Sequence, residues 1–215
     1  PSRGLERMRS TVWSAHDAQQ THRGRAVIRM VKNRKFFVPP EGFFQANLYL
    51  TDRLVDEVCR MVAAEKAGTL VDAYCGCGLF SVFLSPWARK IIGIELDEQS
   101  VDFAKKNAEE SGVVNAEFLC GDVMSVLENN FLRVGRKMEV LILDPPRAGC
   151  PRTVLEMIGR LKPRRIVYIS CNPATQARDV RFLLGGGYVL KNLLPLDMFP
   201  QTQHIEVIGL LELAA

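Results

Sequence analysis

The stretch from Val71 to Phe80, VDAYCGCGLF, ends an apolar strand, turns through two glycines and begins a helix. A strand, a glycine-containing turn and a helix in this order open the nucleotide-binding half of a doubly wound α/β domain. Gly76 and Gly78 would let the backbone approach a ligand closely. The longer G-x-G-x-x-G pattern of dinucleotide sites is absent, because residue 81 is a serine. A lone G-x-G is weak evidence and is also compatible with a plain tight turn.

Strands and helices alternate along the rest of the chain. Five near-continuous apolar runs are predicted to be strands: Thr69–Ala73, Lys90–Leu96, Ala116–Cys120, Glu139–Leu143 and Arg165–Ser170. Such runs are typical of a parallel sheet covered by helices on both faces. Two further strands, Tyr188–Leu194 and Ile205–Leu211, have no helix-length segment between them, so the last strand is antiparallel. The predicted fold class is therefore α/β, a doubly wound, mostly parallel seven-stranded Rossmann-like sheet whose antiparallel last strand lies between the fifth and sixth.

The region before this sheet is polar at first and then regular. We predict a polar segment and hairpin over residues 1–42, the remnant of an upstream region, and a sheet-containing domain over residues 43–215. A helix is predicted from Ala46 to Ala67, with Gly68 ending it. The first residue is not Met, which suggests a piece of a longer chain. Basic side chains of this region are candidates for phosphate contacts or simply form a solvated hairpin: Arg23, Arg25, Arg29, Lys32, Arg34 and Lys35.

Composition and cysteine usage predict a soluble, cytoplasmic protein. Of the 215 residues, 47% are hydrophobic and 24% charged, as in an ordinary globular domain. The apolar runs are strand-sized and no secretory signal opens the chain, so we expect no membrane contact. The six cysteines are predicted to be reduced thiols, and Cys75 and Cys77 lack the second Cys/His pair of a zinc site, so no metal is predicted. The net charge of +4 permits a polyanionic partner.

Acidic residues at two strand ends indicate a cofactor that contains adenosine. Glu95 ends the second strand, where a carboxylate can accept both ribose hydroxyls. Asp122 follows the third strand and is placed to meet an adenine edge. Each alone could be a solvated carboxylate at a strand end. Because a pyrophosphate-binding pattern is missing, S-adenosylmethionine, the commonest cofactor of this kind, fits best.

Prolines force the chain out of the sheet after the fourth and fifth strands. The two motifs are Asp144-Pro145-Pro146-Arg147 and Ser170-Cys171-Asn172-Pro173, and neither can continue a central strand. Open α/β sheets bind ligands at this carboxyl edge. Cys171 precedes a helix whose unpaired amides and dipole are expected to lower the pKa of the thiol. The alternative is an inert buried cysteine, which we assume for Cys59 and Cys120.

The start of the last strand is predicted to lie at the same edge. If that strand is antiparallel, Glu206 faces Asp144 and Cys171 across neighbouring strands, so that a nucleophile, a polar anchor and a base converge. The simpler interpretation makes Glu206 an outward-facing strand residue.

Five motifs occur in order between Phe36 and the C-terminus. They are Phe43-Phe44-Gln45-Ala46-Asn47, Asp72-x-Tyr74-Cys75-Gly76-x-Gly78-x-Phe80, Asp144-Pro145-Pro146-Arg147-x-Gly149, Ser170-Cys171-Asn172-Pro173-x-Thr175 and Phe199-Pro200-Gln201-Thr202-x-His204-x-Glu206. This set closely resembles the RNA uracil-5-methyltransferases, which act on transfer RNA or ribosomal RNA. Members of that family usually carry more N-terminal sequence, often a small β-barrel for RNA and in some cases an iron–sulfur cluster.

The resemblance implies roles for individual residues. It makes Cys171 the nucleophile and Glu206 the base. The cofactor-binding residues are predicted to be Gln45, Tyr74, Gly76, Glu95, Asp122 and Asp144, with Leu79, where several relatives have Asn, next to them. The substrate-binding residues are predicted to be Phe44, Asp144 and Arg147. An aromatic ring of Phe43 or Phe44 would stack on a flipped base, although core packing of either ring is an equal alternative.

The expected chemistry explains why these residue types are present, because carbon 5 of uracil is a poor nucleophile. A thiolate adds to carbon 6 and creates an enolate that takes the methyl group; a base then removes the carbon-5 proton so that the thiol leaves. We expect a monomer acting on rRNA or tRNA. One alternative is a methyltransferase for another nucleobase position, whose usual motif has an aromatic residue where Arg147 stands. The other is a cofactor- or RNA-binding fragment without activity.

Overall fold

The computed structural model describes residues 26–45, 47–63, 66–198 and 200–214, and its centre is a seven-stranded sheet. The strands are β1 (Val27–Val31), β2 (Arg34–Val38), β3 (Ala67–Ala73), β4 (Ala88–Glu95), β5 (Ala116–Cys120), β6 (Val140–Leu143), β7 (Arg165–Ser170), β8 (Tyr188–Leu196) and β9 (Glu206–Leu213). The helices are α1 (Leu48–Val62), α2 (Leu79–Leu84), α3 (Glu98–Glu110), α4 (Val123–Leu127), α5 (Arg152–Leu161) and α6 (Pro173–Gly185). A 3₁₀ turn, Ser85–Trp87, follows α2, and a π-helical turn, Glu128–Leu132, follows α4. None of the described helices is long and apolar enough to cross a membrane.

The strand order of the large sheet is β5-β4-β3-β6-β7-β9-β8. The strands from β3 to β7 run parallel, and β9 is antiparallel to both β7 and β8. The predicted α/β fold and the position of its last strand are therefore confirmed. Val207 at the start of β9 pairs with Ser170 at the end of β7. This register brings Glu206 to the carboxyl edge of the parallel strands.

Apolar side chains cover both faces of the sheet. Successive residues of β3 point to opposite faces: Leu70 belongs to a buried cluster with α1, α2 and α3, whereas Val71 belongs to a second cluster with α4, α5 and α6. Complete burial of one such side chain stabilises the fold by about 1.5–3 kcal/mol. The two clusters together fix the strand ends on which the polar motifs lie.

The first helix of the domain is shorter than predicted. It ends at Val62, and Gly68 lies in β3 instead of capping the helix, so that prediction was wrong. The guanidinium of Arg165 donates to the carbonyls of Met61 and Val62, with N···O distances of 3.1 and 3.3 Å. These bonds satisfy carbonyls that a helix end leaves unpaired. The Gly68 amide instead donates to the Glu139 carboxylate.

The predicted hairpin is present as β1 and β2. Its tight turn at Lys32 and Asn33 has φ angles of 46° and 64°, the left-handed conformation that suits a two-residue hairpin loop. The hairpin packs on α3, where the Asn107 side chain donates to the Phe37 carbonyl and accepts from the Phe37 amide. It is therefore bonded to the large domain. The division of the chain after residue 42 stays a prediction.

Two basic residues that were candidates for phosphate contact bind groups of the protein itself. Lys32 pairs with Asp56 and donates its backbone amide to Asp52. The guanidinium of Arg34 lies 5.4 Å from the centre of the Phe83 ring. These contacts favour a structural role for both cations. Of the other candidates, Arg29 and Lys35 are exposed, whereas Arg23 and Arg25 lie in the polar segment 1–25, outside the described residues.

Candidate active site

The turn between β3 and α2 is built from left-handed backbone conformations. Tyr74, Gly76 and Gly78 have φ angles of 64°, 52° and 83°. A Cβ at Gly78 would lie 3.1 Å from the Ala104 side chain, so only glycine fits there without displacing α3. A Cβ at Gly76 would meet no atom within 4 Å, so the space above that residue is open. The turn thus presents its backbone to open space at the sheet edge, and the close approach of a ligand there stays a prediction.

Glu95 links this turn to the end of β4. Its carboxylate accepts hydrogen bonds from the backbone amides of Gly76, Leu96 and Asp97, at 3.0, 2.7 and 3.0 Å. A carboxylate has about four acceptor positions, so it retains capacity for a further donor. The neighbouring Leu96 side chain is 71% exposed, and sequence reasoning did not single it out. The exposure of Leu96 is visible only in the folded structure, so the sequence offered no signal for it.

Asp122 is exposed and acts as the N-cap of α4. Its carboxylate accepts from the backbone amide and the hydroxyl of Ser125, at 3.0 and 3.1 Å. This local role positions the side chain at the end of β5, close to Tyr74. Burial raises the pKa of the Tyr74 hydroxyl, and the negative charge of Asp122 makes a smaller contribution in the same direction. Its contact with an adenine stays a prediction.

Asp72 is a further carboxyl near the candidate site, and sequence reasoning quoted it in a motif without giving it a role. Its side chain is fully buried, and Oδ2 accepts from the Ser81 hydroxyl at 2.6 Å. Oδ1 has no hydrogen-bond partner among the described residues. Burial raises the pKa of Asp72 to about 6, with a small further contribution from Glu95. The signal was present in the sequence, since an acidic residue inside an apolar central strand is costly to bury.

Asp144 lies where the sequence places it, at the end of β6. The Gln45 side-chain amide donates to its Oδ2 at 3.4 Å, so two predicted cofactor residues meet. Burial raises the pKa of Asp144 well above its ordinary value, and the negative charges of Glu206 and Asp72 raise it further. Several carboxyls therefore crowd the ends of β3, β6 and β9.

Cys171 and Glu206 also meet at this edge. Cys171 is half-buried immediately before α6, and Glu206 is only 4% exposed at the start of β9. Burial raises the pKa of the Cys171 thiol, and the charges of Glu206 and Asp144 raise it further, while Arg147 lowers it. The prediction of a lowered pKa was wrong in its direction, because burial and the neighbouring carboxyls outweigh the lowering effects of Arg147 and of the Cys171 backbone. Burial raises the pKa of Glu206 to about 7.

Arg147 connects the loop after β6 to the segments around Cys171 and Glu206. A guanidinium nitrogen of Arg147 lies 2.9 Å from Nδ1 of His204. Since a guanidinium only donates, Nδ1 of His204 is the acceptor. The backbone carbonyl of Arg147 accepts from the side chains of Asn172 and Thr175, at 3.2 and 3.3 Å. The role of His204 as a partner of Arg147 was not predicted from its motif.

The remaining predicted residues are placed as follows. Phe44 is half-buried, with its ring centre 6.1 Å from that of Phe36, whereas Phe43 is 77% exposed. Leu79 is buried in the apolar cluster at the start of α2. A stacking role for Phe44 and a position of Leu79 beside the cofactor stay predictions.

All six cysteines are free thiols, and the described residues contain no group of three or more His, Cys, Asp or Glu side chains that could hold a metal ion.

Comparison with known proteins gives consistent matches. The family model for tRNA (uracil-5-)-methyltransferases matches residues 26–214. An uncharacterized RNA methyltransferase of Halalkalibacterium halodurans is 41% identical over 179 residues, which are 83% of this chain and 39% of the relative. A Listeria monocytogenes relative with the same description is 38% identical over 200 residues, 92% of this chain and 44% of its own. The chain thus spans about two-fifths of the length of these relatives.

A solved structure matches the fold and the sequence together. The crystal structure of Pyrococcus abyssi tRNA (uracil-54, C5)-methyltransferase in complex with S-adenosyl-L-homocysteine superposes with a TM-score of 0.75 and 33% identity. The match covers 87% of this chain and 45% of that one. An rRNA methylase from Streptococcus thermophilus, at 15% identity and a TM-score of 0.59, shares the fold alone.

Proposed function

Because this chain belongs to the tRNA (uracil-5-)-methyltransferase family, we propose that it transfers a methyl group from S-adenosylmethionine to carbon 5 of a uridine in RNA. The strongest support is the meeting of the thiol of Cys171 with the carboxyls of Asp144 and Glu206 at one sheet edge. The RNA is a tRNA or an rRNA, and the free thiols suit a reducing cytoplasm.

The residues around the glycine turn fit S-adenosylmethionine, which when bound supplies an electrophilic methyl group. The open space above Gly76 admits the cofactor close to the backbone. Glu95, held by backbone amides, is oriented to accept the ribose hydroxyls, and the exposed Leu96 can cover one face of the adenine. Asp122 meets the adenine edge. The remaining contacts come from Gln45, Tyr74 and Asp144, with Leu79 next to them.

The carboxyls at the edge suit a cationic ligand. Asp72, Asp144 and Glu206 all have raised pKa values, so in the absence of a cation their ionised forms are disfavoured. A nearby positive charge lowers the pKa of a carboxyl. A sulfonium bound at this edge would therefore favour the ionised forms of these carboxyls and be attracted by them.

The proposed reaction uses Cys171 and Glu206 in sequence. The Cys171 thiolate adds to carbon 6 of the uracil, and the electron pair of the ring double bond moves to the carbonyl oxygen as an enolate. Carbon 5 then takes the methyl group, and the methyl–sulfur bond of the donor would break to leave a neutral thioether. Glu206 accepts the remaining proton of carbon 5, the double bond reforms, and the thiolate leaves. Arg147 and Phe44 are placed to bind the uracil and its neighbours.

Methylation of defined RNAs tests this function. The chain is incubated with isotopically labelled S-adenosylmethionine and unmodified tRNA and rRNA transcripts, and the digested nucleosides are identified by mass spectrometry. We expect label in 5-methyluridine. Label in a different nucleoside would make the chain a methyltransferase for another position. Cofactor binding without transfer to any RNA would support a binding fragment instead.

Replacement of Glu95 by Ala should weaken cofactor binding. The ribose hydroxyls lose a charged acceptor, which costs about 1–3 kcal/mol. The dissociation constant for S-adenosylhomocysteine in calorimetric titration should therefore rise roughly 5- to 150-fold. Because Glu95 also accepts from the Gly76 amide, thermal unfolding is measured in parallel.

Glu117→Ala is the matched control for that change. Glu117 lies on β5, next to the strand that carries Glu95, and pairs on the surface with Lys90. Its loss should leave the dissociation constant unchanged. An unaltered constant in Glu95→Ala would remove Glu95 from the cofactor site.

The pH dependence of turnover should reflect the raised pKa of Glu206. A general base acts in its ionised form, and Glu206 is half ionised only at about pH 7. Turnover under saturating substrates should therefore fall as the pH drops below 7. The thiol of Cys171 also acts ionised, so the rate should keep rising into the alkaline range. Covalent adduct formation with 5-fluorouridine RNA needs the thiolate but no general base, so its rate should show no inflection near pH 7. An inflection of that rate near pH 7 would contradict the assignment of Glu206 as the base of the elimination step.

A further inference from the structure

Asp179 is a fully buried carboxylate on α6, the helix that begins beside Cys171. Its Oδ2 accepts from the Cys150 amide at 2.8 Å and from the Tyr168 hydroxyl at 2.7 Å. Its Oδ1 accepts from Nε of Arg178 at 2.8 Å. Burial of a carboxylate is costly unless it is well hydrogen-bonded, and here both oxygens are occupied.

The groups that donate to Asp179 come from three different segments of the chain. Cys150 ends the loop that follows Asp144, and Tyr168 lies within β7, two residues before its end. Arg178, besides binding Asp179, donates to the Ala148 carbonyl of the same loop at 3.0 Å. The carboxylate therefore joins this loop, β7 and α6 at a single point in the interior.

The loop approaches Asp179 more closely than any side chain would allow. Gly149 has a φ angle of 80°, and a Cβ built there would lie 2.6 Å from Oδ2 of Asp179. The same Cβ would lie 2.7 Å from the guanidinium of Arg178. The glycine of the D-P-P-R-x-G motif is thus required by its contact with α6.

We propose that Asp179 is a positioning residue that holds Asp144 and Arg147 in register with Cys171. This rests on the function proposed above. The loop between Asp144 and Cys150 carries Asp144 and Arg147, and Cys171 lies immediately before the N-cap of α6. Asn172, which is that N-cap, and Thr175, in the first turn of α6, bind the same loop through the Arg147 carbonyl. Because misplacement of catalytic groups by about 1 Å can cost on the order of 100-fold in rate, a fixed link between the two segments matters for turnover.

Asp179→Asn tests this role through the reactivity of Cys171. Asparagine replaces one acceptor oxygen by an NH₂ group, which is itself a donor and would face an N–H or O–H donor, so the bonds from Cys150, Tyr168 and Arg178 cannot all form. Arg147, whose charge lowers the pKa of the thiol, should then move away from Cys171. We expect at least threefold slower alkylation of Cys171 at pH 8, measured by peptide mass spectrometry with iodoacetamide. The kcat for 5-methyluridine formation should fall at least tenfold, with a smaller change in the KM for RNA.

Tyr168→Phe and Glu212→Gln complete the design. Tyr168→Phe removes one bond to Asp179 and should shift alkylation and kcat in the same direction by a smaller factor. Glu212→Gln weakens the ion pair of the buried Arg165 with the half-buried Glu212, at the opposite end of β7 and β9. It should lower the melting temperature without changing the alkylation of Cys171.

The outcomes separate the two proposals. If Asp179→Asn lowers only the melting temperature, as Glu212→Gln does, Asp179 merely stabilises the fold and the positioning role is wrong. If Asp179→Asn does not fold, unchanged alkylation in Tyr168→Phe overturns the role equally. If the unaltered chain methylates no RNA, the proposed function fails, while the alkylation series still reports whether Asp179 positions Arg147.

Discussion

Cys171→Ala should abolish methyl transfer. Without the thiolate, carbon 5 of the uracil is never converted into an enolate and cannot attack the methyl group. Loss of a covalent nucleophile typically lowers kcat by a factor on the order of 10⁶, so no 5-methyluridine should be detectable. The covalent adduct with 5-fluorouridine RNA, followed by mass spectrometry, should disappear as well. The variant should fold normally, because Cys171 is half-buried at the sheet edge and not in the core.

Cys59→Ala is the control for this experiment. Cys59 lies on α1, where burial raises the pKa of its thiol to about 11, and it takes no part in the proposed chemistry. The control variant should retain turnover and form the adduct. Turnover in Cys171→Ala, or an adduct mapped to a different cysteine, would show that the proposed mechanism is wrong.

The fold could be predicted because the sequence patterns that define its strands and helices lie within short stretches of the chain. The strands of the sheet are short apolar runs separated by helix-length segments, and prolines at Pro145 and Pro173 mark where the chain leaves the sheet. The absence of a helix between β8 and β9 was enough to make the last strand antiparallel. The antiparallel direction of the last strand in turn predicted that Glu206 lies near Asp144 and Cys171.

What escaped prediction depends on contacts between distant residues. The end of α1 is set by Arg165, more than one hundred positions later in the chain. The pKa of Cys171 was predicted from its own helix, whereas burial and the charges of Glu206 and Asp144 decide its direction. Helix amides act within one turn, but the carboxyls of Glu206 on β9 and Asp144 at the end of β6 reach the same thiol. Only the folded arrangement shows which of these effects is larger.

Because carboxyls raise the pKa of the Cys171 thiol, its reactivity should depend on positive charge nearby. A raised thiol pKa gives little thiolate at neutral pH. Glu206 and Asp144 raise this pKa by their charge, whereas the charge of Arg147 lowers it. Binding of a cationic methyl donor adds a second positive charge at the edge. We therefore expect Cys171 to be more reactive when the donor is bound, which would couple activation of the nucleophile to the presence of the methyl group.

Glu206→Gln should separate methylation from release. Glutamine keeps the shape of the side chain but cannot accept a proton, so thiolate addition and methyl transfer proceed while elimination stalls. Loss of a general base typically costs about 10²- to 10⁴-fold in the step it assists. A methylated RNA bound covalently to Cys171 should therefore accumulate on denaturing gels. Its formation should require S-adenosylmethionine, and its mass should equal protein, RNA and one methyl group.

Glu212→Gln provides the control, since it makes the same chemical change near the other end of β9. That variant should release product at the unaltered rate and accumulate no adduct. If Glu206→Gln turns over normally, Glu206 is not the base, and the buried carboxyl of Asp144 becomes the group to examine at this edge. If it forms an adduct that lacks the methyl group, the thiol attacks without Glu206 and Glu206 assists methyl transfer instead; if no adduct forms, Glu206 assists the attack of the thiol. Only the methylated adduct places Glu206 at the elimination step, where its pKa of about 7 makes it a carboxyl suited to take a proton from carbon and pass it to water.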